Sequence, residues 1–200
     1  MKRALMVGLS GAALLAASLP LAAMAAGDGT PGATGKELIA RCISQANREL
    51  EGTGRSIKRS QFDTIVLGSP GADDFSGYPP ISPGRDLFCG FGGNDARDGR
   101  PGAVIGPGDV FVGGGGSDFL YRLAGGMFIG AGGDDRIHEL DGGLFVGGDG
   151  IDSTSIQHGG RFYGRAGGDF VDHLYSGRFI GGPGRDEVTH QFCGDKLRSR

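Results

Sequence analysis

Phenylalanine recurs every 17 residues in the second half of the chain, at Phe111, Phe128, Phe145, Phe162 and Phe179. A glycine lies two residues after each phenylalanine, a second glycine three residues later, and an aspartate two residues beyond that. A fixed period of this kind is the signature of a repeat architecture, in which each repeat is one structural unit stacked on the next. The sequence therefore predicts a stack of similar coils.

The Gly-x-x-Gly-x-Asp pattern occurs seven times, and the two earliest copies have wider spacing. The recurring aspartates are Asp73, Asp95, Asp118, Asp135, Asp152, Asp169 and Asp186. We interpret the pattern as a turn, because glycine takes positive φ at low cost. The 43 glycines are several times the usual share of about 7 %. The 12 phenylalanines argue against a disordered chain, which lacks the aromatic residues of a core.

Each coil is predicted to alternate two turns with two short strands. The residue two positions after each aspartate points inward and is mostly apolar, as at Leu120 and Ile137, with Thr154 and Arg97 as exceptions. A second glycine-rich turn follows, for example Gly125-Gly126. Stacking would place the phenylalanines in an internal ladder at about 4.8 Å, the spacing of neighbouring strands. A single coil cannot bury its own apolar residues, so stability comes from stacking.

The segments 113–121 (GGGGSDFLY) and 181–189 (GGPGRDEVT) match the nonapeptide G-G-x-G-x-D-x-U-x. The chain thereby resembles the RTX, or haemolysin-type, calcium-binding repeat proteins over roughly residues 62–192. The resemblance implies an all-β fold, a right-handed parallel β-roll of 17-residue coils, to which the sequence adds one short N-terminal α-helix. It also implies Ca²⁺ held between consecutive turns.

The same resemblance implies a set of calcium ligands. By position, the side-chain ligands are Asp73, Asp95, Asp118, Asp135, Asp152, Asp169 and Asp186. The backbone oxygens come from glycines, which include Gly113, Gly116, Gly130, Gly133, Gly147, Gly150, Gly181 and Gly184. Independently of the family, a column of like charges is repulsive, and a divalent cation that prefers hard oxygen ligands makes it cohesive. The alternative is that the aspartates only cap turns.

The sequence departs from the family at both turns. The second turn is one residue short and has no regularly placed carboxylate, so we expect calcium along one edge only, with Leu123, Leu140 and Leu174 closing the other. The second residue of the motif is replaced in four copies, by Ser69, Phe91, Ala131 and Arg165. Arginines in or beside the turns are expected to pair with spare carboxylates such as Asp134 and Asp172; they are Arg136, Arg165 and Arg185.

Four segments are predicted. Residues 1–25 have the basic start, the apolar run and the Ala23-Met24-Ala25 site of a signal peptide, with a membrane-spanning helix as the alternative. Residues 26–61 form a linker and the helix, 62–192 the calcium-binding roll, and 193–200 a basic tail. We therefore expect a secreted, extracellular protein with no transmembrane segment after signal cleavage.

An apolar stripe is predicted on one outer face of the roll, at Val112, Ile129, Val146, Tyr163 and Ile180 with Met127 and Leu144. The N-terminal helix, which starts with a capping box at Thr34 and Glu37, is expected to pack on this stripe or over the first coil. A stripe left bare would instead bind a protein or cell-envelope partner.

Three cysteines leave one without an intramolecular partner. Cys89 and Cys193 lie about five coils apart, beyond the reach of a disulfide, so the favoured pair is Cys42–Cys89. Cys193 is then expected to be free or intermolecular.

No enzymatic motif is present: there is no H-E-x-x-H, nucleophile elbow, phosphate loop or dinucleotide fingerprint in the mature chain. The net charge of −3 becomes −5 without Lys2 and Arg3, which gives no basic surface for nucleic acid. His173 and His190 are neighbours in one column and are interpreted as surface residues, with weak metal binding as the alternative.

We expect a non-enzymatic calcium-dependent structural or binding module. The alternative is a component of a secreted enzyme or toxin, with its activity in segment 75–110.

Overall fold

The computed structural model describes residues 33–77, 84–98 and 104–192, so the predicted signal peptide and basic tail lie outside the described residues. Helix α1 (Gly35–Glu49) comes first, and short 3-10 turns occur at Arg59–Gln61 and Phe75–Gly77. The strands are β1 (Thr64–Leu67), β2 (Asp86–Cys89), β3 (Ala96–Arg97), β4 (Val104–Ile105), β5 (Val110–Gly115), β6 (Phe119–Gly132), β7 (Arg136–Asp149), β8 (Ser153–Gln157), β9 (Arg161–Ala166), β10 (Phe170–Leu174), β11 (Arg178–Ile180) and β12 (Glu187–Gln191).

The strands form a parallel β-roll, as predicted. One face stacks β1, β2, β5, the second halves of β6 and β7, β9 and β11. The other face stacks β3, the first halves of β6 and β7, β8, β10 and β12. Strands β6 and β7 are long because each continues through the second turn from one face to the other.

The phenylalanine ladder is confirmed. Phe88, Phe111, Phe128, Phe145, Phe162 and Phe179 are in register from strand to strand. The ring centroids from Phe111 to Phe179 are 5.1, 5.1, 4.4 and 4.9 Å apart, which brackets the expected strand spacing. The 17-residue period therefore sets the register of the stack.

The inner core contains both expected exceptions to its apolar pattern. Arg97 is only 1 % exposed, and its guanidinium carbon lies 4.5 Å from the centroid of the Phe88 ring. The same guanidinium donates a hydrogen bond to the carbonyl of Phe75. Thr154 is fully buried in the corresponding position two coils after Leu120. Position in the coil thus determines burial more strongly than residue type does.

Helix α1 packs on the outer stripe. Its buried residues Cys42 and Ala46 form a second apolar cluster with Val112, Ile129 and Val146, which are at most 1 % exposed. The helix begins with the predicted capping box, in which the Thr34 hydroxyl accepts from the Glu37 amide and the Glu37 carboxylate accepts from the Thr34 amide. Among the described residues, no helix is both long enough and apolar enough to cross a membrane.

This packing confirms the first of the two positions expected for the helix, and the alternative of a bare stripe does not apply along most of its length. From Val112 to Val146 the chain's own helix and the segment after it cover the apolar residues, because burying them internally removes them from water. Three members of the stripe, Met127, Tyr163 and Ile180, remain partly exposed.

The Cys42–Cys89 disulfide is confirmed, with 6.1 Å between the two Cα atoms. It joins α1 to β2 and fixes the helix over the early coils. Cys193 lies outside the described residues.

Candidate metal-binding edge

The seven repeated aspartates lie in one column along one edge of the roll. In each step the Oδ1 atom of one aspartate accepts a hydrogen bond from the backbone amide of the aspartate in the preceding coil. The six bonds, of 2.8–3.0 Å, run from Asp73 to Asp95, Asp95 to Asp118, Asp118 to Asp135, Asp135 to Asp152, Asp152 to Asp169 and Asp169 to Asp186. Each of these carboxylates therefore ties two coils together.

The other oxygen of the five inner carboxylates is buried without a hydrogen-bond partner. These atoms are the Oδ2 atoms of Asp95, Asp118, Asp135, Asp152 and Asp169. All five residues are at most 1 % exposed. A buried polar atom without a partner is costly, and a buried charge more so, which calls for a compensating proton or cation at each turn.

The two terminal aspartates differ from the inner five. Asp73 and Asp186 are half-buried. The Oδ2 atom of Asp73 accepts a hydrogen bond from the Ser69 amide. A compensating proton or cation is therefore less necessary at the first and last turns than at the turns between them.

The first position of each motif must be glycine because the motif's aspartate occupies the space of a side chain there. This corrects the expectation that the first glycine is needed for positive φ. Gly113, Gly130, Gly147 and Gly181 do not have positive φ. A Cβ atom on these residues would lie 1.8, 1.9, 2.0 and 2.0 Å from the Oδ2 atom of the aspartate five residues later. The carboxylate folds back onto the glycine Cα, and any side chain there would displace it.

Backbone oxygens approach the same points. A Cβ atom on Gly90 would lie 2.3 Å from the Gly113 oxygen, and one on Gly130 would lie 2.7 Å from the Gly147 oxygen. The Gly181 oxygen is similarly 2.7 Å from the Cβ position of Gly164. The unpaired carboxylate oxygen of one coil and a glycine carbonyl of the next therefore converge.

The second glycines form a further column of carbonyl oxygens. Gly116, Gly133, Gly150 and Gly184 have φ of +112°, +110°, +132° and +151°, as predicted for a glycine turn. A Cβ atom on Gly133 would lie 2.2 Å from the Gly116 oxygen, and one on Gly150 the same distance from the Gly133 oxygen. The edge thus offers carboxylate and carbonyl oxygens, the hard donors that Ca²⁺ prefers.

Burial makes the inner carboxyls weak acids. It is the largest cause of a pKa raised to about 9 for Asp135, about 7 for Asp95, Asp118 and Asp152, and about 6 for Asp169. The bond from the preceding amide opposes the shift, because it stabilises the ionised form. Neighbouring aspartates raise the pKa of Asp135 further.

Three of the four substitutions at the second motif position adopt the left-handed backbone conformation. Phe91, Ala131 and Arg165 have φ of +76°, +85° and +83°, at a cost of about 1–2 kcal/mol each for a residue with a Cβ atom. Arg165 compensates by donating to the carbonyls of Glu49 and Glu51 at the C-terminal end of the helix. Phe91 packs against the outer apolar cluster.

The predicted pairing with Asp134 or Asp172 is wrong for Arg136 and Arg165. Arg136 donates to the Ser155 hydroxyl at 2.8 Å, and Arg165 reaches the helix. Asp134 accepts the Ile151 amide, and Asp172 contacts two histidines. The partner of Arg136 lies one coil further along, and the partners of Arg165 lie at the end of α1. The spacing of residues in the repeat does not reveal either contact.

The opposite edge is closed by backbone contacts. A Cβ atom on Gly126 would lie 2.3 Å from the Gly106 oxygen, and one on Gly143 would lie 2.3 Å from the Gly126 oxygen. Leu123, Leu140 and Leu174 are buried beside these turns, as predicted. Within segment 75–110, the described residues contribute β2, β3 and β4 to the roll.

The opposite edge also contains a buried carboxyl that the sequence patterns did not predict. Asp86 is 3 % exposed, and burial is the largest cause of its raised pKa, followed by the charge of Asp109. It lies in an early coil outside the 17-residue period, so the repeat gave no signal for it.

Comparisons of the chain with models of known families, with curated proteins and with solved structures found no match.

Proposed function

We propose that this protein is a secreted calcium-binding repeat protein, whose β-roll is stabilised by Ca²⁺ bound between stacked Gly-x-x-Gly-x-Asp turns. The observation that carries the proposal is the run of five consecutive turns, each with a buried carboxylate oxygen that has no hydrogen-bond partner. A divalent cation between turns would supply the missing partner and cancel the repulsion along the column.

Protons alone are a poor substitute near neutral pH. With pKa values of about 6 to 9, the five inner carboxyls would be neutralised only in part at pH 7–8. The donors at this edge are all oxygens, and Ca²⁺ takes six to eight oxygen ligands in flexible geometry. Glycine carbonyls that converge on the carboxylates supply the remaining positions.

The biological setting follows from the predicted export signal. Extracellular calcium modules work at about 10⁻⁴–10⁻³ M, so the roll would become rigid outside the cell and stay pliable at the low calcium inside it. The described residues form one continuous roll with a docked helix, which suits a structural or binding module.

The test is a calcium titration of the mature protein followed by circular dichroism, with ions counted on the folded state. We expect β-structure and melting temperature to rise with Ca²⁺ and much less with Mg²⁺, which demands near-octahedral geometry. The triple variant Asp118→Asn, Asp135→Asn, Asp152→Asn keeps the amide-accepting oxygens and should lose bound ions. A complete β signal in excess chelator, unchanged by Ca²⁺, would contradict the proposal.

A further inference from the structure

Two histidines and one aspartate meet on the outside of the last two described coils. Asp172 and His173 lie in β10, and His190 lies beside His173 in the parallel strand β12. Both imidazoles face the same carboxylate: His173 Nδ1 lies 3.2 Å from Asp172 Oδ2, and His190 Nδ1 lies 3.5 Å from Asp172 Oδ1. The two rings stack with centroids 4.8 Å apart and 12° between their planes.

These distances suit a tetrahedral metal ion. With bonds of about 2.0–2.1 Å, the ligand atoms around tetrahedral Zn²⁺ are about 3.3–3.4 Å apart. Each imidazole nitrogen lies at about that distance from one of the two Asp172 oxygens, and one ligand atom from each residue lies within 4.8 Å of the others. Binding requires the imidazoles to rotate out of this stack, because each nitrogen binds a metal in the plane of its ring and the two planes are only 12° apart.

We propose that Asp172, His173 and His190 bind a Zn²⁺ ion, with water in the fourth position. The ligand set of two imidazoles and a carboxylate favours zinc, whereas the oxygen donors of the aspartate column favour calcium. The two sites are thus chemically distinct, and the zinc site does not depend on the proposed calcium function. His190 is exposed and the other two residues are half-buried, so an ion can enter from solvent.

Binding here would clamp the end of the roll. Among the described residues, strand β12 pairs with β10 and with no other strand, so it lies at the edge of the described sheet. Terminal repeats of solenoids are their weak points, because each has one neighbour instead of two. A zinc ion bonded to His173 and His190 would join the last strand to the one before it.

The test is a zinc titration of the mature protein in saturating Ca²⁺, on a Cys193→Ser background that removes the one cysteine outside the disulfide. We expect one Zn²⁺ per chain and slower amide hydrogen exchange in β12 when zinc is bound. His190→Gln and His173→Gln should each weaken zinc binding by about tenfold or more. Mutation of a residue that only hydrogen-bonds to a metal ligand already lowers metal affinity by about 10–100-fold.

The matched control is His158→Gln. His158 Nδ1 also contacts an aspartate, Asp141, at 3.1 Å, but no second imidazole joins that pair among the described residues. This variant should bind zinc like the parent. The proposal is overturned if the parent binds no zinc, if either ligand variant keeps the parent affinity, or if His158→Gln lowers the affinity as much as they do. Circular dichroism in calcium establishes that each variant is folded.

Discussion

The chain reverses direction at both edges of each 17-residue coil, but the side chains and backbone atoms that form the two turns differ. Both reverse the chain through glycine turns in which several of the stacked glycines leave no room for a Cβ atom. On one edge the turn also encloses a carboxylate, whereas the opposite edge is closed by backbone contacts and buried leucines. Within the described 17-residue coils, the opposite edge has no buried carboxylate oxygen without a partner, whereas the aspartate edge leaves one in each inner turn to be neutralised.

Because the edges differ, the features that give the roll its shape can be distinguished from those whose stability depends on bound ions. Stacking, the phenylalanine ladder and the glycine turns of the opposite edge require no ion. The aspartate edge adds cross-coil hydrogen bonds through Oδ1, but the same carboxylates make the roll sensitive to pH and to cations through Oδ2.

Alanine at matched glycines of the two edges should show the largest contrast. In Gly130→Ala the new Cβ atom would lie 1.9 Å from Asp135 Oδ2, so the carboxylate must move, and we expect a loss of about 1–3 kcal/mol or more in unfolding free energy. In Gly142→Ala, on the opposite edge, the nearest atom to the new Cβ would be the Ala124 oxygen, at a van der Waals distance of 3.4 Å. That variant should change the free energy by less than about 1 kcal/mol.

Urea unfolding of both variants in saturating Ca²⁺ measures this contrast. Equal destabilisation would mean that the aspartate does not set the glycine requirement. A large effect for Gly142→Ala alone would reverse the assignment of the two edges.

The stability of the calcium-free roll should fall as pH rises. The inner carboxyls have pKa values of about 6 to 9 in the fold, above the ordinary 3.8, so the folded state binds protons more tightly than the unfolded state. Their stabilising contribution is full below about pH 4 and is lost as pH rises through about 6 to 9. Calcium should act in the opposite sense, because it binds the ionised carboxylates.

Melting temperatures measured across this pH range, with chelator and with excess Ca²⁺, give the two curves. We expect them to diverge towards alkaline pH and to converge at acid pH. A calcium-free roll whose melting temperature rises from acid to alkaline pH would show that the aspartate column is already compensated.

The smallest effect is expected from neutralising an aspartate on the opposite edge. Asp141 forms partly exposed ion pairs with Arg122 and contacts His158, so Asp141→Asn should cost about 0.2–1 kcal/mol and leave the calcium response unchanged. Asp135→Asn should reduce that response and make the calcium-free protein less sensitive to alkaline pH. Calorimetric calcium titrations compare the two, and equal loss of calcium binding would refute a one-sided arrangement.

Much of this architecture follows from the period. Parallel stacking superposes residues 17 apart, so Phe128 had to lie against Phe145 and Asp118 had to lie beside Asp135. The same reasoning placed Thr154 and Arg97 inside the roll despite their polarity. The Cys42–Cys89 bridge followed from the limited reach of a disulfide.

Other features depended on contacts that no period encodes. The first glycine of the motif is needed because a carboxylate folds against it, although turn chemistry had suggested positive φ. Arg165 breaks the glycine pattern because helix α1, more than 100 residues earlier, presents carbonyls to it. Asp86 lies outside the repeat and could be found only from its burial.

The sequence by itself determined the coil, its register and the column of aspartates, because a parallel stack converts spacing into adjacency. Only the tertiary structure decided which carboxylate oxygen bonds to the neighbouring coil and which is left unpaired. It also decided that α1 covers the outer stripe, and that Asp172 stands between two imidazoles. These outcomes depend on the direction of each side chain and on elements far apart in the chain, and neither is specified by a repeat.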